Sequence, residues 1–196
     1  GKSKAKLLSE RDPAKLDFAA LGAEVVLECT GAFLTKESVQ PYLDNGIQKV
    51  IFSAPAKDDT ATFVLGANEE SYNDERIISN ASCTTNCLAP VAKVLDDAFG
   101  IEKGLMTTIC RYTLSVDIVD CKDKKDPRKA RAGATNLIPT TTGAAKAIGK
   151  VLPTLNGKLN GQSIRVPTPN VSLVDLTVTL DKTVTLQEVQ DAFIEA

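Results

Sequence analysis

The chain has 196 residues, 43% hydrophobic and 24% charged, with 12 glycines and 9 prolines, which are the proportions of a globular protein. Its 23 basic and 25 acidic side chains leave a net charge of −2, which argues against a dedicated nucleic-acid surface or a polybasic membrane anchor. Histidine is absent, so neither a Ser-His-Asp nor a Cys-His pair can form, and no imidazole-bearing metal site is expected.

No apolar run approaches the roughly 20 residues of a spanning helix. Gly1 to Lys6 holds three lysines without the apolar stretch of a secretory signal. The five cysteines (Cys29, Cys83, Cys87, Cys110 and Cys121) are odd in number, and the chain is long enough to form a core without disulfides. Reduced thiols in a cytoplasmic setting are therefore expected.

In chain order, Val25 to Cys29 is a β-prone apolar run punctuated by Thr30-Gly31. Thr35 to Leu43 has helical spacing and stops at Asn45-Gly46 like a left-handed C-cap. Val50-Ile51-Phe52 follows as a second strand ending at Ser53-Ala54. Strand, helix and strand form a βαβ unit with parallel strands. Thr62 to Leu65 and Arg76 to Ser79 supply two more. Ligands of open parallel sheets sit beyond the carboxyl ends of the strands, where Thr30-Gly31, Ser53-Ala54 and Asn80-Ala81-Ser82 would gather.

After Ser82 the pattern changes. Cys83 to Phe99 reads as a helix with an apolar stripe of Leu88, Val91, Val94, Leu95 and Ala98, bent or opened by Pro90. Gly104 to Thr113 is β-like, and Thr142 caps a helix from Gly143 to Leu152. Gln162 to Val166 and Val171 to Leu180 read as strands, the latter alternating Val174, Leu176, Val178 and Leu180 against polar neighbours. Thr185-Leu186-Gln187-Glu188 is a capping box for a last helix. The fold expected is α/β: a partial Rossmann-like parallel sheet over residues 1–82, then an α+β domain with a mixed or antiparallel sheet over residues 83–196.

The strongest local feature is Asn80 to Cys87. A thiol where a strand turns into a helix faces free backbone N–H groups that favour the thiolate. Cys83, with Ser82, Thr84, Thr85 and Asn86 around it, is the candidate reactive thiol. Cys29 and Cys121 are read as inert small hydrophobes and Cys87 as packing. Lys122 to Arg131 carries six cations against two aspartates; Lys122, Lys124 and Lys125 are read as a solvated face. Arg165, between Ile164 and Val166, would face away from its apolar neighbours, toward a phosphate. The Thr140-Thr141-Thr142-Gly143 helix start adds anion-binding potential.

Asn80 to Cys87, Thr140 to Ala147, Arg165 to Asn170, Glu10 to Pro13, Glu28 to Gly31 and Ser53 to Lys57 together closely resemble the phosphorylating glyceraldehyde-3-phosphate dehydrogenases. The resemblance runs through the chain in order and weakens from Cys110 to about Lys129. It implies NAD-dependent oxidation of a sugar-phosphate aldehyde through a thioester on Cys83, released by inorganic phosphate as an acyl phosphate, in glycolysis. Ser82, Thr84, Thr113, Thr142, Gly143 and Arg165 match the family's two anion sites. Arg11, Thr30, Gly31, Phe33 and Ser53 match its NAD-contacting positions, and a cytoplasmic homotetramer is implied. A dehydrogenase acting on erythrose 4-phosphate is a close variant.

The departures are equally specific. No Gly-x-Gly-x-x-Gly occurs, and the chain is expected to begin inside the family's cofactor lobe and to stop before its final strands. Cys110 stands where the family carries the histidine that pairs with the nucleophile. Losing a general base costs about 10²–10⁴ in rate, so a very poor dehydrogenase is expected, or an inactive scaffold of that fold. If Cys110 faces Cys83, the pair forms a thiol redox switch, provided the α-carbons lie within about 7 Å.

Overall fold

The computed structural model describes residues 4–122 and 126–196, residue 146 by its backbone alone. The chain divides into two compact units, Gly1–Phe63 with Ser71–Ala81, and Val64–Glu70 with Ser82–Ala196.

The first unit is a parallel sheet. Strands β1 (Val25–Glu28) and β2 (Lys49–Phe52) are joined by helix α1 (Lys36–Asp44). Strands β3 (Ala61–Thr62) and β4 (Ile77–Ser79) complete it in the order β1-β2-β4-β3, every pair parallel. Thr35 caps α1 through a reciprocal box with Ser38. At its other end Gly46 takes φ +97°, the left-handed conformation that favours glycine. Val39, Tyr42, Ile47, Val50 and Phe52 form the buried cluster between helix and sheet. The expected strand over Thr62 to Leu65 ends after two residues. The Asn68 side-chain oxygen accepts the Val64 N–H at 2.9 Å and turns the backbone away, leaving Leu65 exposed.

The second unit is a mixed sheet. Its strands are β5 (Ile101–Arg111), β6 (Ile138–Thr140), β7 (Leu159–Val166) and β8 (Ser172–Leu180), in the order β6-β7-β5-β8. β5 runs parallel to β7 and antiparallel to β8, and β6 antiparallel to β7. Helix α2 (Cys83–Phe99) packs against helix α3 (Ala144–Val151) and β8, and α3 against β7. A last helix, α4 (Leu186–Glu195), opens with the Thr185–Glu188 capping box and packs on α2. Both sheets match the α/β expectation: one parallel, one mixed.

Sequence periodicity misplaces some details here. Ser82 caps α2 by accepting the Thr85 N–H at 3.1 Å, and Pro90 lies inside the helix. The buried face comprises Thr84, Thr85, Leu88, Ala89, Ala92 and Leu95, while Val91 points outward. β5 ends at Arg111, two residues short of Thr113, where its ladder with β7 stops at Val166, and the same pairing extends β7 back to Leu159. Gly143, not Thr142, holds the N-cap position of α3, although the Thr142 hydroxyl still accepts the Ala144 N–H at 3.2 Å. In β8 the alternation holds: Val174, Leu176, Val178 and Leu180 turn inward between exposed neighbours.

Candidate active site

Ser82 ends the extended segment before α2, and its cap leaves Cys83 as the first helical residue. Cys83 is exposed. It lines a cleft of about 310 Å³ with Thr84 and Cys87 from α2, Arg111 from the end of β5, and Asn170, Val171, Ser172 and Val174 from the start of β8 and the turn before it. Backbone bonds fix the Arg111 wall: its N–H donates to Val171 O at 3.2 Å, and its carbonyl accepts Arg165 Nη1 at 3.0 Å. The lining carries two thiols, two hydroxyls, an amide and a guanidinium and, among the described residues, no carboxylate.

The cleft gathers Cys83 and Thr84 but not the remaining anion-site candidates. Thr113, hydrogen-bonded to Ser115 at 2.9 Å, lines a neighbouring cleft of about 540 Å³ with Tyr112, Leu114, Val116, Asp117, Ile118 and Pro169, sharing only Arg111 with the first. Thr142 and Gly143 stand at the start of α3 and line neither cleft. The Ser82 hydroxyl is engaged with Thr85 Oγ1 at 2.8 Å and the Thr85 N–H. Arg165 turns away from Ile164 and Val166, as alternation requires, and pairs in register with Cys110.

Cys110 is 4% exposed and does not line the Cys83 cleft. It lies in register between Arg165 on β7 and Ser172 on β8, and its sulfur is 2.8 Å from Thr108 Oγ1. Burial pushes this thiol up, but hydrogen bonding by Ser172 and Thr108, the Arg165 charge, and the nearby Ser163 hydroxyl together bring it below the ordinary thiol value. Among the described residues the Ser163 Oγ, Thr140 Oγ1 and Arg165 Nε atoms are buried without a hydrogen-bond partner.

The other cysteines differ from expectation. Cys29, Cys87 and Cys121 are all exposed rather than packed. Cys87 lies one helical turn from Cys83 and so opens into the same cleft. Cys121 Sγ donates to Asp117 Oδ2 at 2.9 Å. In the basic run Lys122 is exposed as expected, while Lys124 and Lys125 fall outside the described residues.

In the first unit, Thr30-Gly31, Ser53-Ala54 and Asn80-Ala81 follow three adjacent parallel strands, bringing small residues to the carboxyl end of the sheet. Ser53 N–H donates to Glu28 O, and Asn80 N–H to Phe52 O, both at 3.0 Å. Gly31 has φ +73° and open space where a side chain would stand. The Thr30 hydroxyl is engaged, donating to the buried Glu28 carboxylate and accepting Ala32 N–H at 3.1 Å. Phe33 packs partly on the core cluster, and Arg11 is exposed beside Glu10, whose carboxylate accepts its N–H at 2.7 Å.

Comparison with known proteins decides the family. The profile for the glyceraldehyde 3-phosphate dehydrogenase C-terminal domain matches residues 82–196. The chain belongs to the glyceraldehyde-3-phosphate dehydrogenase family. It is 55% identical over 190 residues to glyceraldehyde-3-phosphate dehydrogenase 1 of Bacillus cereus, covering 96% of this chain and 57% of that protein. Identity to the Bacteroides fragilis enzyme is 55% over 194 residues, 99% of this chain and 58% of that protein. To the Atlantibacter hermannii enzyme it is 53% over 189 residues, with 96% and 64% covered. The chain thus spans 57–64% of the length of these relatives.

Sequence reading missed Arg111, Ser172 and the open side of Cys87 as parts of the site. Arg111 and Ser172 reach the cleft because β8 and the turn before it fold back on β5, a pairing no local pattern announces. Alternation along β5 gave the only signal, placing Arg111 and Cys110 on opposite faces.

Proposed function

We propose that this chain carries the thiol of a phosphorylating glyceraldehyde-3-phosphate dehydrogenase, with residues 1–82 forming part of the NAD-binding domain and 83–196 the catalytic domain. The observation that carries the reading is Cys83, exposed at the first helical position of α2 in a cleft lined by donors. Its sulfur adds to the aldehyde carbon, making a carbon–sulfur bond and a hemithioacetal oxygen. Thr84 and the free N–H groups at the start of α2 are the donors for that oxygen. Ser82 holds the first turn in place through Thr85. By the family resemblance Thr113, Thr142, Gly143 and Arg165 would serve the two anion sites, for substrate phosphate and inorganic phosphate, although none of them lines the Cys83 cleft itself.

The residues of the first unit suit part of a dinucleotide site, because three adjacent strand ends are small and Gly31 leaves its surroundings open. Arg11, Thr30, Gly31, Phe33 and Ser53 would hold NAD, which supplies the hydride acceptor for the step from hemithioacetal to thioester. Leu105 and Leu173, exposed on the mixed sheet, support burial against further copies in a homotetramer. Among the described residues no helix is long and apolar enough to cross a membrane; the cytoplasmic setting proposed follows from the family resemblance.

Cys110 governs the rate. The thiol at the family's histidine position is buried and supplies no imidazolium to the hemithioacetal oxygen. Single-turnover NADH formation with glyceraldehyde 3-phosphate, NAD and phosphate is expected about 10²–10⁴ below an ordinary base-assisted rate. A burst at the ordinary rate overturns the slow-enzyme reading. Absence of any acyl adduct on Cys83 overturns the nucleophile. The same Cys110 favours a second reading, an inactive dehydrogenase-fold scaffold, in which no NADH forms while oligomers still assemble. Erythrose 4-phosphate in place of the triose separates the variant activity.

A further inference from the structure

We propose that Arg111 is an anion-binding residue of the Cys83 cleft, selecting electrophiles that carry a carboxylate or phosphate beside the reacting carbon. The inference rests on the reading of Cys83 as the reactive thiol and adds the charge preference of its cleft. Arg111 ends β5 and is exposed, yet its backbone is fixed on both sides by Val171 O and Arg165 Nη1. Its position at the cleft wall is therefore set while its guanidinium remains accessible. Among the described residues Arg111 takes part in none of the ion pairs. Cys83, Thr84, Asn170 and Ser172 share the cleft, and among the described residues no carboxylate there competes for the cation. An anion entering this cleft meets one full positive charge, an amide and two hydroxyls within a space of about 310 Å³.

Arg111 and Arg165 differ in what they reach. Arg165 spends one guanidinium nitrogen on the Arg111 carbonyl and lies in register with the buried Cys110, and it does not line this cleft. Among the described residues Arg111 is the cation that does.

The test compares alkylation of Cys83 by iodoacetate and by iodoacetamide, reagents of similar size that differ in charge. Both rates are read by peptide mass spectrometry in a Cys87→Ser background, so that one thiol remains in the cleft. Arg111→Gln is expected to lower the iodoacetate rate about threefold to tenfold relative to iodoacetamide, an effect that shrinks in salt near 1 M. Arg111→Lys is expected to keep most of the preference, because the charge remains. An unchanged ratio in Arg111→Gln, or an Arg111→Lys ratio as low as that of Arg111→Gln, overturns the role of Arg111. If Cys83 reacts with neither reagent, the reading of Cys83 fails instead, and the proposal falls with it.

Discussion

Cys83 and Cys110 occupy one compact unit in opposite surroundings. Cys83 is exposed at the start of α2, in a cleft that admits a small molecule. Cys110 is 4% exposed on the inner face of β5, flanked by Arg165 and Ser172 and hydrogen-bonded with Thr108. The groups that stabilise a sulfur anion surround the thiol that reagents cannot reach. Access and anion stabilisation are separate properties, and covalent chemistry on a substrate needs access first. The Cys83 cleft lining does not include Cys110, so a switch between the two thiols gains no support from the shared fold.

The sharpest way to break this comparison is to remove the open thiol. Cys83→Ser is expected to abolish acyl-adduct formation and to lower any NADH production by at least about 10³-fold, as loss of a covalent nucleophile does elsewhere. Mass spectrometry of the intact chain after exposure to aldehyde checks it. Adduct persisting in Cys83→Ser would move the chemistry to Cys87, the other exposed thiol of the cleft. Next in size is Cys110→His. The family resemblance puts the imidazole at this position, and its longer side chain is expected to raise the single-turnover rate by about 10²–10⁴, while Cys110→Ser gains nothing; an unchanged rate in Cys110→His would mean that position 110 stays on the buried face of β5, away from the Cys83 cleft.

How much of this was legible beforehand depends on range along the chain. Helix α2 could be read from Ser82 and the apolar spacing after Cys83, and α4 from the Thr185 box, because caps and periodicity are written within one or two turns. The strands of the parallel sheet were legible from their apolar runs, except where the Asn68 side chain redirects Val64. What was not legible arises from pairings between distant segments. Arg111 enters the cleft, and Cys110 is buried, because β5 pairs with β7 on one side and β8 on the other. The usual habit of cysteine predicts packing for Cys29, Cys87 and Cys121, but Cys29 follows the end of β1, Cys121 lies outside the helices and strands, Cys87 sits on the open side of α2, and all three are exposed.

The ladder that buries Cys110 can be stressed directly. A side-chain carbon at Gly161 of β7 would stand 2.6 Å from Met106 O and 2.9 Å from Met106 Cε on β5. The first neighbour is backbone, so the two strands must separate. Gly161→Ala is expected to cost about 1–3 kcal/mol, measured by urea unfolding. It should also quicken the reaction of Cys110 with a small thiol reagent while leaving Cys83 unchanged. Gly143, exposed and with nothing near a Cβ, is the control, and Gly143→Ala should cost far less.

The smallest expected effect is the stability carried by Cys110 itself. Its thiol pKa lies below the ordinary value in the folded chain, burial raising it and the Ser172, Thr108, Arg165 and Ser163 neighbours lowering it further than burial raises it. The unfolded chain therefore binds more protons than the folded one between the folded pKa and the ordinary thiol value of about 8.5. Stability from this group rises with pH through that window, is complete above the ordinary value, and is lost as pH falls through the folded pKa. Thermal unfolding of the chain and of Cys110→Ala, followed from neutral to mildly alkaline pH, should show the gap between them widening in favour of the native residue. A constant gap would mean that Cys110 stays a neutral thiol throughout. In that case the hydroxyls and the guanidinium around it serve packing and backbone bonding alone, and the contrast with Cys83 reduces to access.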